Sequence, residues 1–142
     1  MLAKQLSVFV ENRKGRLGEV LNVLAEHGVN ILSMSLADTT EYGLLRLIVN
    51  HPELGKAKLT AAGFSSLLSD VLVIEIPHKA GALQSLLKCI EEAGISVEYM
   101  YGLSMDVNEA YVVLKASDAT QTEKVLLENG VKTLSNEQIK AL

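Results

Sequence analysis

The feature of the sequence that most constrains its fold is a segment that occurs twice. Residues 12–31 read NRKGRLGEVLNVLAEHGVNI, and residues 78–97 read HKAGALQSLLKCIEEAGISV. The two segments align without a gap when Gly15 is matched to Gly81, and 81 minus 15 gives an offset of 66 positions. The same offset matches Leu6 with Leu72, Leu17 with Leu83, Leu21 with Leu87, Glu26 with Glu92, Gly28 with Gly94 and Met34 with Met100. A constant offset of this kind indicates one supersecondary unit used twice.

The repeat also predicts where the chain divides. Gly63 matches Gly130 at an offset of 67, so the second copy has gained one residue, which we place in a turn near residues 117–121. We predict two domains, residues 1–69 and residues 70–142. No stretch rich in Pro, or in Gly and Ser, separates them, so the connection is expected to be short.

Each copy predicts the order strand, helix, strand, strand, helix, strand. Leu6, Val8 and Val10 alternate with other residues at the period of a half-buried strand. The apolar residues from Leu17 onward recur at helical spacing. Later elements are expected at residues 30–38, 53–62, 96–105 and 120–128, with hairpin turns at TTEYG and DVNE. A short last strand is expected after each closing glycine.

This order of elements predicts an α+β fold. With right-handed crossovers, each copy forms a ferredoxin-like βαββαβ unit, which is an antiparallel sheet with both helices on one face. In this topology residues 30–38 and 96–105 are edge strands, whose unpaired backbone groups seek partners. We therefore expect the tandem repeats to join side by side through these strands into one eight-stranded sheet.

Charge and composition exclude several classes of protein. Thirteen Lys and Arg against seventeen Asp and Glu give a net charge of −4, which provides no general basic field for nucleic acid or anionic lipid. Aromatic residues are 4% of the chain, too few for the stacking surface of an RNA-recognition module. The single cysteine, Cys89, cannot form an internal disulfide, and the N-terminal apolar stretch is too short for a signal peptide or a membrane span. We therefore expect a cytoplasmic protein.

The loops argue against a metal site and against catalysis. A soft-metal carrier needs two closely spaced cysteines in its first loop, but the loops read ENRKGRL and PHKAGAL. A hydrolase or acyltransferase needs a nucleophile beside a base, or paired carboxylates, and neither pattern occurs. We therefore expect no metal, no cofactor and no enzymatic activity. The open alternatives are a ligand-binding regulatory module, a structural or adaptor subunit with decayed ligand sites, and a small enzyme on the same fold.

The two glycine turns resemble a family motif. In the ACT domain family the turn usually reads acid or Asn, any residue, Pro, Gly, any residue, Leu, and a Gly-aliphatic-Asn-aliphatic step follows the helix. NRKGRL with HGVNI is similar to this pattern, with Lys14 in place of the proline. HKAGAL with AGISV departs further, with His78 in place of Asp or Asn and Ala80 in place of the proline. The resemblance covers both copies and implies a module that binds an amino acid or similar effector, commonly between two copies, and signals to an enzyme or regulator.

Elementary chemistry supports the same use of the first turn. Gly15 allows a sharp turn, and the first N–H groups of the following helix have no intrahelical partners and carry the positive end of its dipole. A carboxylate fits there. Backbone carbonyls, or the side chains of Asn12, Asn30 or Ser33, could accept hydrogen bonds from a free amino group. The expected ligand is therefore a small zwitterion such as a free amino acid. The alternative is that Gly15 and Gly81 only form tight turns.

The resemblance and the turn chemistry together define the predicted binding residues. In the first copy these are Asn12, Arg13, Lys14, Gly15, Arg16, Leu17, Asn30, Ile31 and Ser33. In the second copy these are His78, Lys79, Ala80, Gly81, Ala82, Leu83, Ser96, Val97 and Tyr99. The basic residues of the first set, and His78, could instead be solvated. Tyr99 could line a pocket or fill a gap in the packing.

The alternation of the strands also predicts an apolar surface. If Leu6 faces the helices, Phe9 faces outward. The same argument turns a further set outward, namely Leu32, Met34, Leu36, Leu44 and Ile48. A patch of this size seldom stays exposed to water. We expect a second copy of the chain to cover it, sheet face to sheet face, in a homodimer.

Overall fold

The computed structural model describes residues 1–38, 41–105 and 109–142. In these ranges the elements are β1 (Ala3–Glu11), α1 (Arg16–Glu26), β2 (Ile31–Asp38), β3 (Tyr42–Val49), α2 (Pro52–Ala61), β4 (Ser66–Pro77), α3 (Ala82–Glu92), β5 (Val97–Met105), β6 (Glu109–Ala116), α4 (Ala119–Glu128), β7 (Lys132–Leu134) and α5 (Asn136–Lys140). The repeated order confirms the predicted α+β class and the tandem βαββαβ plan. The predicted hairpin turns include residues 39–40 and 106–108, which lie outside the described residues. None of the helices in the described ranges is long and apolar enough to cross a membrane.

The last strand of the first copy and the first strand of the second copy are one continuous strand, β4. Its twelve residues, SLLSDVLVIEIP, contain no glycine and no proline before the final position. No residue breaks the extended backbone there, so two of the expected strands form one. The structure therefore has seven strands where eight were expected. The predicted edge pairing of the hairpin strands is also wrong, since among the described strands β2 pairs with β3 alone and β5 pairs with β6 alone.

The chain divides into two compact units, Lys4–Ser69 and Asp70–Leu142, and the second unit includes Met1–Ala3. In the first unit β3 lies between β1 and β2 and runs antiparallel to both. The alternating apolar residues of β1 and β3 pack against residues of the two helices, and this core contains Leu6, Val8, Val10, Val20, Leu24, Leu45, Leu47, Val49, Leu59 and Phe64. Both helices therefore cover the same face of the sheet.

The second unit repeats this arrangement. Strand β6 lies between β5 and β4, and β7 pairs with β4. Its core contains Leu72, Ile74, Ile76, Leu86, Ile90, Val112, Leu114 and Leu126. The amino group of Met1 is held in this unit, because it donates to Oγ1 of Thr133 at 2.8 Å and lies 2.7 Å from Oε2 of Glu123.

A bulge in β2 changes which side chains share a face of the sheet. The register between β2 and β3 shifts between Ile31 and Ser33. One extra residue reverses the alternation of all the positions that follow it. Met34 and Leu36 therefore lie opposite core leucines of β3, on the helix side of the sheet, while Ser33 lies on the other face.

The predicted apolar patch on the outer face is consequently wrong in its composition. Phe9 is 45% exposed, but Ile48 on the same face is only 1% exposed. Met34 and Leu36, 44% and 50% exposed, stand on the opposite face of an edge strand. The prediction from strand alternation failed because the pattern of apolar residues in the sequence does not reveal the bulge. The reason given for a face-to-face homodimer therefore no longer holds.

The extra residue of the second copy lies in β5 and not near residues 117–121. The register between β5 and β6 shifts between Gly102 and Ser104, so Leu103 is the added residue. The change of offset from 66 to 67 is complete before β6 begins. Leu6 lies opposite Leu47 and Leu72 lies opposite Leu114, and 114 minus 47 gives 67. A strand can take up one residue as a bulge without losing its ladder on either side.

A short helix, α5, follows β7 and was not predicted. The hydroxyl oxygen of Ser135 accepts a hydrogen bond from the N–H of Gln138 at 3.3 Å, and Oε1 of Gln138 accepts one from the N–H of Ser135 at 2.9 Å. This reciprocal pair is a capping box. The signal that could have found the helix is therefore the spacing of Ser135 and Gln138 in SNEQ.

Candidate functional site

The turns that precede α1 and α3 have the same geometry. Gly15 and Gly81 come directly before the helices, with φ of 89° and 85°. In the first turn the N–H of Arg13 donates to the carbonyl of Glu11 at 2.8 Å, and the N–H of Arg16 donates to the carbonyl of Arg13 at 3.3 Å. The second turn repeats both hydrogen bonds, at 3.0 Å and 3.3 Å. Positive φ strains any residue with a Cβ, so each turn requires its glycine.

The first turns of α1 and α3 are not capped by a side chain within the described part of the chain. By contrast, Asp118 caps α4 and Ser135 caps α5. Beyond the N–H groups of Arg16 and Ala82, which the turns already engage, the first N–H groups of α1 and α3 therefore stay available to water or to a ligand. The helix dipole favours an anion at both positions.

A cavity of about 340 Å³ opens beside the first turn, and we call it the first-turn cavity. It is lined by Val10, Glu11, Asn12, Arg13, Leu17, Leu36 and Gly43. Three of the predicted binding residues, Asn12, Arg13 and Leu17, are therefore brought together here. The cavity combines apolar walls with one carboxylate and one guanidinium, and it lies at the start of α1, which suits a small molecule with charges of both signs.

The charged side chains of the first turn fall into two groups. Nε of Arg13 lies 3.1 Å from a carboxylate oxygen of Glu11, and both residues line the first-turn cavity. Arg16 does not line the cavity, because its guanidinium stacks 4.3 Å from the centre of the Phe64 ring and pairs with Glu19 at 2.5 Å. The same guanidinium lies 3.9 Å from the second carboxylate oxygen of Glu11. Arg13 and Glu11 are therefore the charged groups that a molecule in the first-turn cavity would meet.

The remaining predicted residues of the first copy lie apart from this cavity. Lys14 and Gly15 are exposed in the turn, and neither lines the cavity. Asn30 and Ile31 line another cavity, of about 400 Å³, beyond the C-terminal end of α1. An 11-residue helix is about 16 Å long, so one amino acid within this unit cannot contact both sets. Ser33 lies opposite Ile48, on the sheet face that the helices do not cover.

The predicted residues of the second copy are not gathered around one cavity either. His78, Lys79, Ala80 and Gly81 form the exposed turn, which Ala82 and Leu83 follow in α3. A cavity of about 420 Å³ contacts only Lys79 and Ala82 of this set. The N–H of Ser96 donates to the hydroxyl of Ser117 at 3.2 Å, and Val97 packs against the core. The ring of Tyr99 stacks on Tyr101 with 6.5 Å between the ring centres.

Sequence reasoning missed four residues of the first-turn cavity, namely Val10, Glu11, Leu36 and Gly43. Glu11 is the last residue of β1 and directly precedes the predicted set, so its charge was a usable signal. Leu36 and Gly43 reach the cavity because Gly43 lies opposite Val10 and next to β2. That proximity depends on the strand register, and the sequence gives no spacing from which to read it.

No group of three or more His, Cys, Asp or Glu side chains that could hold a metal ion occurs among the residues that the structure describes.

Comparison with known proteins gives a family and a fold. The family model of the ACT domain pair matches residues 1–142. No curated protein matches the chain. The crystal structure of protein BT0572 from Bacteroides thetaiotaomicron is 36% identical over 100% of this chain and 98% of that one, with a TM-score of 0.95. Regulatory subunits of aspartate kinase from Thermus thermophilus and Thermus flavus share the fold at 14% and 12% identity, with TM-scores of 0.62 and 0.63. Each match covers 88% of this chain, and 91% and 88% of the respective subunits.

Proposed function

Because the chain belongs to the ACT domain family, we propose that it is a regulatory module that binds a free amino acid, acts through another protein and catalyses no reaction itself. The observation that carries the proposal is the first-turn cavity, where apolar walls, Glu11, Arg13 and the uncapped start of α1 converge. The same fold occurs in regulatory subunits of aspartate kinase. For this chain we propose a regulated enzyme or regulator as the partner.

In the proposed complex the charges of the ligand alternate with those of the protein. The ligand carboxylate lies at the first N–H groups of α1 and near the guanidinium of Arg13. The ligand ammonium lies against the carboxylate of Glu11, and the ligand side chain packs on Leu17 and Leu36. A zwitterion of this kind completes the existing pair of Glu11 and Arg13, at 3.1 Å, to a ring of four alternating charges. The predicted residues outside this cavity stay predictions.

The proposal predicts that one or a few free amino acids raise the melting temperature of the protein. A ligand at about 100 times its Kd adds about 2.7 kcal/mol to the stability of the state that binds it, which is a shift of several degrees. The measurement is a thermal-shift series with the twenty amino acids. Analogues that lack either the amino or the carboxyl group serve as controls and should shift the melting temperature less. If no amino acid has an effect at millimolar concentration, the adaptor alternative replaces this proposal.

Replacement of Gly15 tests whether the turn geometry matters. A Cβ at Gly15 would meet no atom within 4 Å, so any cost comes from φ of 89° and not from crowding. We expect Gly15→Val to lower the free energy of unfolding by about 1–2 kcal/mol and to weaken amino acid binding. Gly15→Asn is the matched control, because Asn enters the left-handed region more readily. Equal stability of the two variants in urea unfolding would contradict the strain argument.

The homodimer remains a prediction, but its test changes because Met34 does not lie on the outer face of the sheet. Met34 is 44% exposed on the edge strand β2, on the helix side of the sheet. Met34→Glu therefore tests association through that edge, whereas Phe9→Glu tests the outer face of the sheet. Sedimentation of both variants beside the parent chain distinguishes the two surfaces. A monomeric parent chain at micromolar concentration would rule out the homodimer.

A further inference from the structure

The two units differ on the side of the first helix that faces the last strand. In the first unit this space is filled by Arg16, whose guanidinium stacks on Phe64 at 4.3 Å. Glu19 and Glu11 lie against the same guanidinium, at 2.5 Å and 3.9 Å. Phe64 is 5% exposed, so these side chains fill the space. We call the four residues Glu11, Arg16, Glu19 and Phe64 the plug.

All four positions of this plug carry smaller or uncharged residues in the second unit. The offset of 66 matches Glu11, Arg16 and Glu19 to Pro77, Ala82 and Ser85, and the offset of 67 matches Phe64 to Val131. These four replacements all line the cavity of about 420 Å³. We call it the α3 cavity. The space that the first unit fills with its own side chains is therefore open in the second unit.

The α3 cavity overlaps the position of the first-turn cavity but extends in another direction. Ile76, Pro77 and Lys79 match Val10, Glu11 and Arg13 at the offset of 66. The first-turn cavity faces the hairpin strands through Leu36 and Gly43, whereas the α3 cavity faces the turn before β7 through Gly130 and Val131. The two cavities are therefore not equivalent copies of one site. A second ligand of different chemistry can be considered for the α3 cavity.

The walls of the α3 cavity are mainly apolar. Ile76, Leu86 and Val131 supply aliphatic surface. Its hydroxyl and amide side chains are already engaged, since the hydroxyl of Ser85 donates to the carbonyl of Gly81 at 3.0 Å and the amide of Asn129 donates to the carbonyl of Val125 at 2.8 Å. An apolar body is therefore better suited to this cavity than a polar one.

Lys79 lines the α3 cavity and lacks the acidic partner that the matching residue of the first unit has. Arg13 in the first unit pairs with Glu11 at 3.1 Å. The matching residues are Lys79 and Pro77, and proline offers no carboxylate. In the described ranges no acidic side chain pairs with Lys79. Glu75, which also lines the cavity, is paired with Lys132 at 3.2 Å. The charge left for a ligand is therefore positive.

We infer that the α3 cavity binds a small monocarboxylate with an apolar body, its carboxylate at Lys79 and its body against Ile76, Leu86 and Val131. The cavity volume is in the range of sites for small molecules. An α-amino group is not required, because the one carboxylate at the cavity is already paired. This site is separate from the amino acid site proposed for the first unit, and either can fail without the other.

The test uses Cys89, which lines the α3 cavity and is the single cysteine of the chain. We expect 3-phenylpropionate to slow alkylation of Cys89 by iodoacetamide at least about fivefold at saturation, because a bound ligand shields the thiol. The neutral probe 3-phenylpropionamide should bind about tenfold more weakly, and Lys79→Gln should remove this difference between the probes. Unchanged alkylation at millimolar 3-phenylpropionate overturns the inference, and so does an undiminished preference for the carboxylate in Lys79→Gln.

A second pair of variants rebuilds the plug of the first unit. Ala82→Arg combined with Val131→Phe should fill the α3 cavity and abolish the protection of Cys89 by the probe. Val131→Phe alone keeps the helix sequence intact and should weaken protection in the same direction, which covers the case in which the double variant does not fold. Circular dichroism checks the fold of each variant. Full protection in a folded plug variant overturns the inference.

Discussion

Leu24→Ala is expected to lower the free energy of unfolding by about 2–5 kcal/mol. Leu24 is 0% exposed and lies in the core of the first unit. A Cβ built on Gly55 would lie 3.4 Å from Cδ2 of Leu24 and 3.0 Å from Cδ2 of Leu6, so α2 packs directly on these side chains. The close backbone leaves little freedom to collapse into the cavity that the substitution creates. Urea unfolding of the variant and the parent chain measures the difference.

Two further variants control this result. Leu127→Ala makes the same chemical change on α4 at a side chain that is 56% exposed, and should alter stability by less than about 0.5 kcal/mol. Ile90 matches Leu24 in the second unit and is also 0% exposed, so Ile90→Ala should be costly as well. A loss at Leu127 as large as that at Leu24 would contradict the assignment of the core.

Gly43→Leu is expected to lower the affinity for the amino acid at least about 100-fold, or about 2.7 kcal/mol. Gly43 lines the first-turn cavity and faces the helices, opposite Val10. Its φ is not positive, so a side chain adds volume without the strain expected at Gly15. A Cβ there would lie 3.1 Å from Cδ1 of Leu36, which is 50% exposed and able to move. Calorimetry with the amino acid found by thermal shift measures the loss.

The second unit offers the matched control for this prediction. Ala110 of β6 corresponds to Gly43, because it lies opposite Ile76 as Gly43 lies opposite Val10. Ala110→Leu adds bulk at the equivalent position outside the proposed amino acid site and should leave the affinity unchanged. If Gly43→Leu binds the amino acid as tightly as the parent chain, the first-turn cavity is not the site.

The sequence predicted the elements more accurately than it predicted the faces of the sheet. The alternation of Leu6, Val8 and Val10 correctly identified a half-buried strand, since all three lie in the core. The same reasoning failed for Met34, because one bulge reversed the alternation after Ile31. In a strand the side chains alternate between two faces, so one extra residue reverses the predicted face of every residue that follows it.

The candidate site was predicted in part for a similar reason. Asn12, Arg13 and Leu17 belong to the turn itself, so their neighbourhood follows from the chain. Leu36 and Gly43 complete the cavity from other strands and depend on register. The α3 cavity was not predicted at all. It exists because a pair of side chains far apart in sequence is large in one unit and small in the other.

By itself the sequence determined the repeat, the βαββαβ order within each copy and the two turns at Gly15 and Gly81. These depend on local properties, namely the period of apolar residues and the freedom of glycine at positive φ. Only the tertiary structure decided the single strand β4, the bulges at Ile31–Ser33 and at Leu103, and the two different cavities beside the first helices. Strand register and side-chain packing depend on contacts between residues that are distant in sequence. Two segments with nearly the same local pattern can therefore leave the space beside the helix filled in one unit and open in the other.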